Sequence, residues 1–226
     1  MPPKRRLGPD RRQPPRLDEE RSERRGDELD DAEVIEDVAW RGATPGPASD
    51  VEVLRSLLAH VTLTGLELDA WRLVDVELVD CELSGTVLTG ARWERVVLRR
   101  CRMSGLVATE LKAEDLRMEA CKADGAWLRG AVLDRCEVVD TDLSRADLHG
   151  AQVTRTAFRR CDLREVDVTE SRFQQVSLHG SSLDGLKGAA SLSGCSIGSD
   201  QVVPLALPIL ASRSITVDDD PPDLVD

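Results

Sequence analysis

Tyrosine is absent from this chain, phenylalanine occurs twice, and four tryptophans bring the aromatic content to only 3%. Ligand pockets are usually lined by aromatic and apolar side chains, so this composition argues against one. Six cysteines are present, but no CxxC or CxxxC pair gives them zinc-like spacing, and there are only three histidines. No apolar run approaches the roughly 18 residues of a membrane span. The basic start, MPPKRRLGPDRRQPPR, lacks the apolar stretch of a signal peptide. These absences point to a cytoplasmic protein with reduced thiols and no membrane contact. GxSxG, P-loop and dinucleotide-binding fingerprints are missing too. No catalytic, metal or cofactor site is therefore expected, and the chain is not expected to be an enzyme.

What is present is charge, unevenly spread. The net charge is −12 over 226 residues. Residues 1–26 carry nine Lys/Arg against five Asp/Glu, whereas residues 27–60 carry two against nine. Residues 61–187 carry 18 against 22, and the last 39 carry one against six.

The dominant pattern has a period of five. From Leu63 to Leu183, every fifth residue is apolar, giving 25 consecutive centres without an insertion. Five fits neither the helical nor the simple strand period. The residue two places before each centre is usually small or apolar, as at Ala91, Cys101, Ala131, Ala146 and Cys161. In an extended piece, residues i−2 and i share a face. Gly85, Gly90, Gly105, Gly125, Gly130, Gly150 and Gly180 fall at the last place of a block, where a tight bend needs backbone freedom. Each block is a short inward-facing extended piece followed by a corner. Cys81, Cys101, Cys121 and Cys161 recur at multiples of twenty, which suggests four blocks per turn.

Blocks such as ADLHG (146–150), TDLSR (141–145), CDLRE (161–165) and CELSG (81–85) resemble the A(D/N)LXX pattern of the pentapeptide-repeat family over about residues 61–185. The resemblance implies an all-β fold, a right-handed quadrilateral β-helix of about six coils. Short flanking helices and disordered termini complete the expectation.

The expected organisation is a disordered basic Arg/Pro-rich tail at 1–26, then an acidic segment and linker at 27–50 with a short helix. The repeat follows at 51–187, an apolar helical cap at 188–216 and an acidic disordered tail at 217–226. Residues 51–60 fit either a first coil, continuing the register at Val53 and Leu58, or a helical face. Between 106 and 118 the sizes invert, with Leu106, Leu111 and Leu116 at i−2 and Ala108 and Ala113 at the centres. Either volumes are exchanged inside the coil or the register slips, and the unchanged register at Leu128 favours exchange. Trp71, at i−2, is expected to loosen the first coil and lie against the N-terminal cap. In the C-terminal segment, Pro208 is expected to kink or end the helix.

Function is then a matter of surfaces. Glu67, Asp69, Glu110, Asp147, Asp167 and Glu170 form a candidate acidic wall, opposed by Arg129. Another wall carries Arg72, Arg92, Arg95, Lys112, Arg135, Arg155 and Arg172 against five acids. Val202, Val203, Leu205, Ile209 and Leu210 are candidate contacts for a second subunit through the C-terminal helix. The leading expectation is a scaffold that binds another protein through a wall or its ends, as a homodimer in one form. The alternative follows from the resemblance, since some pentapeptide-repeat proteins mimic duplex DNA, bind type II topoisomerases such as gyrase and protect them from quinolones. Direct nucleic-acid binding is not expected, because five acids dilute the N-terminal arginines.

Overall fold

The computed structural model describes residues 12–17 and 21–218. The chain winds into a parallel β-solenoid of about nine turns, with one short helix near the C-terminus. Backbone pairing runs between residues twenty apart, as in Arg72↔Arg92, Lys112↔Val132 and Gln152↔Arg172. Four ladders of such pairs rise side by side. They run from Glu52 to Arg172, from Leu57 to Ser177, from Thr62 to Ser182 and from Glu67 to Lys187. Four ladders per coil are the four walls that a twenty-residue period requires.

The five-residue beat has a backbone cause. From Asp50 to Gln175, and on to Gly185, each fifth residue has a positive φ, between 44° and 71°. Nine of these 28 corners are glycine, and the rest are residues that pay a steric cost of about 1–2 kcal/mol to turn left. Between corners only a very short extended piece fits, and its middle residue points inward. Of the 25 centre residues 22 are buried, while Met118, Leu128 and Phe173 are half-buried against the same core.

The interior resolves the local ambiguities. Residues 52–54 and 57–59 are strands, so 51–60 is coil and not helix. Leu106, Leu111 and Leu116 are buried beside Ala108 and Ala113, and pairing at Lys112↔Arg92 and Arg117↔Val97 keeps the twenty-residue step. The inversion is a volume exchange without slip. Trp71 also lies inside, only 3% exposed, with its indole Nε1 donating to the Ala48 carbonyl at 2.8 Å. Small neighbours such as Ala43 and Ala48 in the same core leave room for it.

Upstream, the structure departs from expectation. The acidic segment 27–50 holds no helix; it contributes strands Val34–Glu36 and Val38–Arg41. Ser22–Arg24, expected to be disordered, pairs with Val38–Trp40. These coils are shorter, stepping by 16 and 18 residues (Ser22↔Val38, Ala39↔Leu57), which breaks the five-residue beat and hides them from a search for it. Trp40 seals this end, fully buried, with Nε1 on the Gly26 carbonyl at 2.9 Å and the Arg24 guanidinium 4.8 Å over its ring. With these additions the coil count rises above the expected six. The remaining expectations of disorder, for 1–11, 18–20 and 219–226, lie outside the described residues.

At the other end the step falls to 19 at Val176↔Cys195, and the 3-10 turn Ala189–Leu192 bends the chain across the last coil. Gly194 permits this closure, because a Cβ there would meet the Phe173 carbonyl oxygen at 2.4 Å. The helix Val202–Ser212 then caps the rod. It runs through Pro208 and ends at Ser212.

Candidate binding surfaces

Most buried donors follow one rule, whereas the Ser56, Thr141 and Thr156 hydroxyls donate to the carbonyl two residues back. A donor at the i−2 place of a coil reaches the carbonyl of a centre residue 23 positions earlier, in the coil before. Thr86 donates to Leu63 at 2.7 Å, Ser171 to Leu148 at 2.6 Å and Trp71 to Ala48 at 2.8 Å. The thiols of Cys81, Cys101, Cys121, Cys136 and Cys161 point at Leu58, Leu78, Leu98, Ala113 and Val138 in the same way, at 3.4–3.8 Å. In return, the backbone N–H of Cys121, Cys136 and Cys161 donates to a hydroxyl one coil on, that of Thr141, Thr156 and Ser181. Small size at i−2 accounts for the burial of these cysteines but not for their hydrogen bonds, whose signal in the sequence is the interchange of Cys with Ser and Thr at one place in the repeat. Burial pushes the thiol of Cys136 up to about 12 and that of Cys161 up to about 11, so neither is a thiolate at neutral pH.

Titratable groups on the outside are paired or solvated. The His149 Nε2 lies 3.5 Å from Glu170, and His179 Nδ1 lies 2.9 Å from the Ser177 hydroxyl. Among the described residues, no cluster of three His, Cys, Asp or Glu could hold a metal ion.

The candidate acidic residues share one wall, on the ladder that carries Glu67, Asp147 and Asp167. Glu67, Asp69, Glu110 and Glu170 are exposed, and Asp147 and Asp167 are half-buried. Asp147 is compensated by Arg129, whose Nε donates to it at 2.6 Å, and Lys187 sits next to Asp167 on the ladder. Its Thr169 neighbour donates an N–H at 2.9 Å, and these bonds and nearby cations outweigh the effect of burial to hold Asp167 below the usual carboxylate range. Trp127 stands on the same wall, 54% exposed, beneath Arg129 at 5.8 Å.

Charge on the basic wall is layered. Arg72, Arg92, Lys112 and Arg172 occupy one line of the ladder, and Glu94, Glu114 and Asp134 the parallel line two residues on. Arg72 bonds Glu52 at 3.0 Å, and Arg135 bonds Glu114, Asp134 and Asp115. The corner beside this wall carries an alternating column, Asp37, Arg55, Asp75, Arg95, Asp115 and Arg135, in which each arginine grips the aspartate of the coil before with two hydrogen bonds.

Residues 12–17, RQPPRL, lie along this corner. The Gln13 N–H donates to Asp115 Oδ1 at 3.1 Å and the Arg16 N–H donates to Asp75 Oδ1 at 2.9 Å. Apart from the Pro-Pro pair, nothing in the residue types signals this docking.

The five candidate contacts of the C-terminal helix divide. Val202 is 54% exposed, Val203 80% and Ile209 42%, and Leu210 is half-buried. Leu205, by contrast, is buried in the rod's core. It anchors the helix and is not available to a partner, because it points from the helix into the last coil.

A coil of four ladders, a turn at each fifth residue and an apolar centre between turns define a pentapeptide-repeat β-solenoid. A family model described as pentapeptide repeats (8 copies) matches residues 77–107, 117–150, 124–160 and 141–180. Residues 77–107 and 117–180 thus carry the pentapeptide repeat. Among solved structures it is similar to HetL, a pentapeptide repeat protein involved in heterocyst differentiation regulation from the cyanobacterium Nostoc sp. strain PCC 7120. That match has 20% identity over 73% of this chain and 76% of the other, with a TM-score of 0.35. A pentapeptide repeat protein from the Arabidopsis thaliana thylakoid lumen matches at 22% identity over 47% and 71%, with a TM-score of 0.39. QnrB1, a plasmid-mediated fluoroquinolone resistance protein, matches at 18% identity over 82% and 100%, with a TM-score of 0.36. No curated protein matches the chain in sequence.

Proposed function

We propose that this pentapeptide-repeat scaffold is a non-catalytic cytoplasmic protein that binds another protein through the capped end of its rod, a second copy being the simplest partner. The observation that carries this reading is the exposed apolar surface of the C-terminal helix, where Val203 (80% exposed) and Leu207 (63%) group on one face and Ile209 (42%) stands on another. A grouped apolar surface of this kind is costly to leave in water and marks an interaction site. Light scattering across a concentration series tests it. A dimer that Val203→Asp with Ile209→Asp converts to monomer supports the reading; a dimer untouched by both changes rules out the helix as its contact.

The acidic wall favours a second reading, a DNA-like surface for a type II topoisomerase. Glu67, Asp69, Glu110 and Glu170 present their carboxylates outward on one side of a narrow rod. Against it stand Arg129, Lys187 and the cations of the neighbouring wall. DNA-supercoiling assays with gyrase, with and without a quinolone, decide between the two. Neither inhibition nor protection at any protein concentration would sink mimicry, whereas an effect lost on changing Asp147 and Asp167 to Lys would establish it.

A further inference from the structure

Val97 is the wrong residue for its place unless something covers it. It lies on the outer side of its strand, between inward-facing Val96 and Leu98, in a ladder whose neighbouring outward positions are Glu77 and Arg117. Yet it is only 3% exposed. Pro14, Pro15 and Leu17 line a groove of about 370 Å3 over it, together with Glu77, Arg99, Arg117 and Glu119. The corner carboxylates beside the groove, Asp75 and Asp115, are likewise buried, at 6% and 2%.

The dimensions of the two partners agree. A polyproline-type chain rises about 3.1 Å per residue with three residues per turn, so positions three apart face the same way about 9 Å apart. Coils stack at about 4.8 Å, so corners two coils apart stand about 9.6 Å apart. Gln13 and Arg16 are three apart, and their acceptors Asp115 and Asp75 are two coils apart. The two residues between them are prolines, which have no N–H to satisfy and hold the chain extended. The Arg16 Nη2 donates to Gln13 Oε1 at 3.4 Å, which ties together the two residues that share a face. At Arg12, burial and the Arg117 cation outweigh the fields of Glu137 and Asp115 and lower its pKa, so its charge does not help to hold the arm. The match is one of spacing, backbone hydrogen bonds and apolar contact in one short segment.

We propose that the Asp75–Asp115 corner and the Val97 groove form a docking track for an extended, arginine-flanked Pro-Pro segment of a partner protein, and that residues 12–17 occupy the track in cis and mask it. Carboxylates two coils apart read the N–H groups flanking the prolines, and Val97 reads the prolines. Partner binding displaces the arm.

The full chain carrying Gln13→Pro and Arg16→Pro tests this, because both changes keep an extended arm but remove its two docking N–H groups. Chymotrypsin cleavage after Leu17, which lines the groove, should become at least tenfold faster in this variant than in the unaltered chain, with a single cooperative unfolding transition retained. The probe is a labelled synthetic peptide, RQPPRL, followed by fluorescence anisotropy. It should bind the variant at least tenfold more tightly than the unaltered chain, and a control peptide with proline at both donor positions, RPPPPL, should not bind. Equal cleavage rates would overturn masking. Faster cleavage with no peptide binding would overturn the docking track and leave the arm a purely structural clasp. Self-association of the variant that the peptide fails to disperse would overturn a partner segment in favour of another occupant, the exposed track of a second copy.

Discussion

Arg95 grips Asp75 from one coil above, with Nε at 2.6 Å from Oδ1 and Nη2 at 2.8 Å from Oδ2, and both residues turn left-handed at the same corner. Asp80–Arg100, Asp115–Arg135 and Asp140–Arg160 repeat the arrangement twenty residues apart, and Asp37–Arg55 does so across the shorter coil. In every case the aspartate comes first and the arginine follows. A rigid guanidinium fork matches a carboxylate in two bonds, which a lysine does not. The corners therefore tie successive coils together outside the core.

The pairs differ in burial, and that predicts unequal costs. Side-chain exposure is 15% and 9% for Arg95 and Asp75, but 63% and 47% for Arg160 and Asp140. Arg95→Ala leaves a buried carboxylate short of its partner and should cost about 1–3 kcal/mol in urea unfolding. Arg160→Ala should leave the transition midpoint where it is, because an exposed pair contributes little. A larger loss at Arg160 than at Arg95 would contradict the ranking.

Except at Asp115, where burial raises the pKa and works the other way, these pairs set an acid limit. Hydrogen bonds from Arg100 and Arg160 hold Asp80 and Asp140 below the usual carboxylate range. At Asp75 burial works upward, but Arg95 and the Arg16 N–H outweigh it and the net direction is again down. A carboxylate with a lowered folded pKa binds protons more readily when unfolded. Its contribution is complete above the unfolded pKa, about 3.9, and is lost as pH falls through the folded value. Melting temperature should thus be flat from pH 7 to about 5 and fall below about 4. A rise in stability on acidification would exclude this linkage.

Cys101 is a hydrogen-bonding group in the core, so size alone is a poor guide to its replacements. Cys101→Ala removes the donor to Leu78 and should cost about 1–3 kcal/mol. Cys101→Ser should cost less, since Thr141 and Ser181 occupy the same column with hydroxyls. Thiol reagents should label none of the five buried cysteines at pH 7 without denaturant, as counted by mass spectrometry. Rapid labelling of the folded chain would refute their placement.

Ala120 turns left at φ 52° with no side-chain partner of the kind Asp and Arg have at other corners. Glycine there removes the steric cost but adds freedom to the unfolded chain. The balance favours Ala120→Gly by about 0.5–1 kcal/mol, measured by chemical denaturation. A destabilised variant would mean that the corner strain is absorbed elsewhere.

Residues 61–185 were legible because one requirement, an apolar centre between two corners, recurs with constant spacing. Leu63 to Leu183 follow it without exception, and even the exchange at Leu106 and Ala108 leaves the beat intact. The coils around Trp40 were not legible, because their steps of 16 and 18 residues carry no fixed period and their acidic surface suggested a helix. Leu205 could not be told from Val203 or Ile209, since all lie in one apolar run and only the last coil distinguishes inside from outside. The arm at 12–17 was hidden for another reason. Its contacts are backbone N–H groups, which every residue but proline has, so composition carries no trace of them.

The column Val61, Cys81, Cys101, Cys121, Thr141, Cys161 and Ser181 ends at Gln201, buried, with Nε2 on the carbonyls of Leu178 at 2.7 Å and Ser181 at 2.6 Å. Each coil is finished by a side chain of the one after it, so the rod has a direction of completion. A twenty-residue duplication anywhere before Gln201 would inherit its terminator and lengthen the rod in register. A stop codon placed before it would leave the last coil's carbonyls open, which makes the C-terminal end the less forgiving place to shorten this chain.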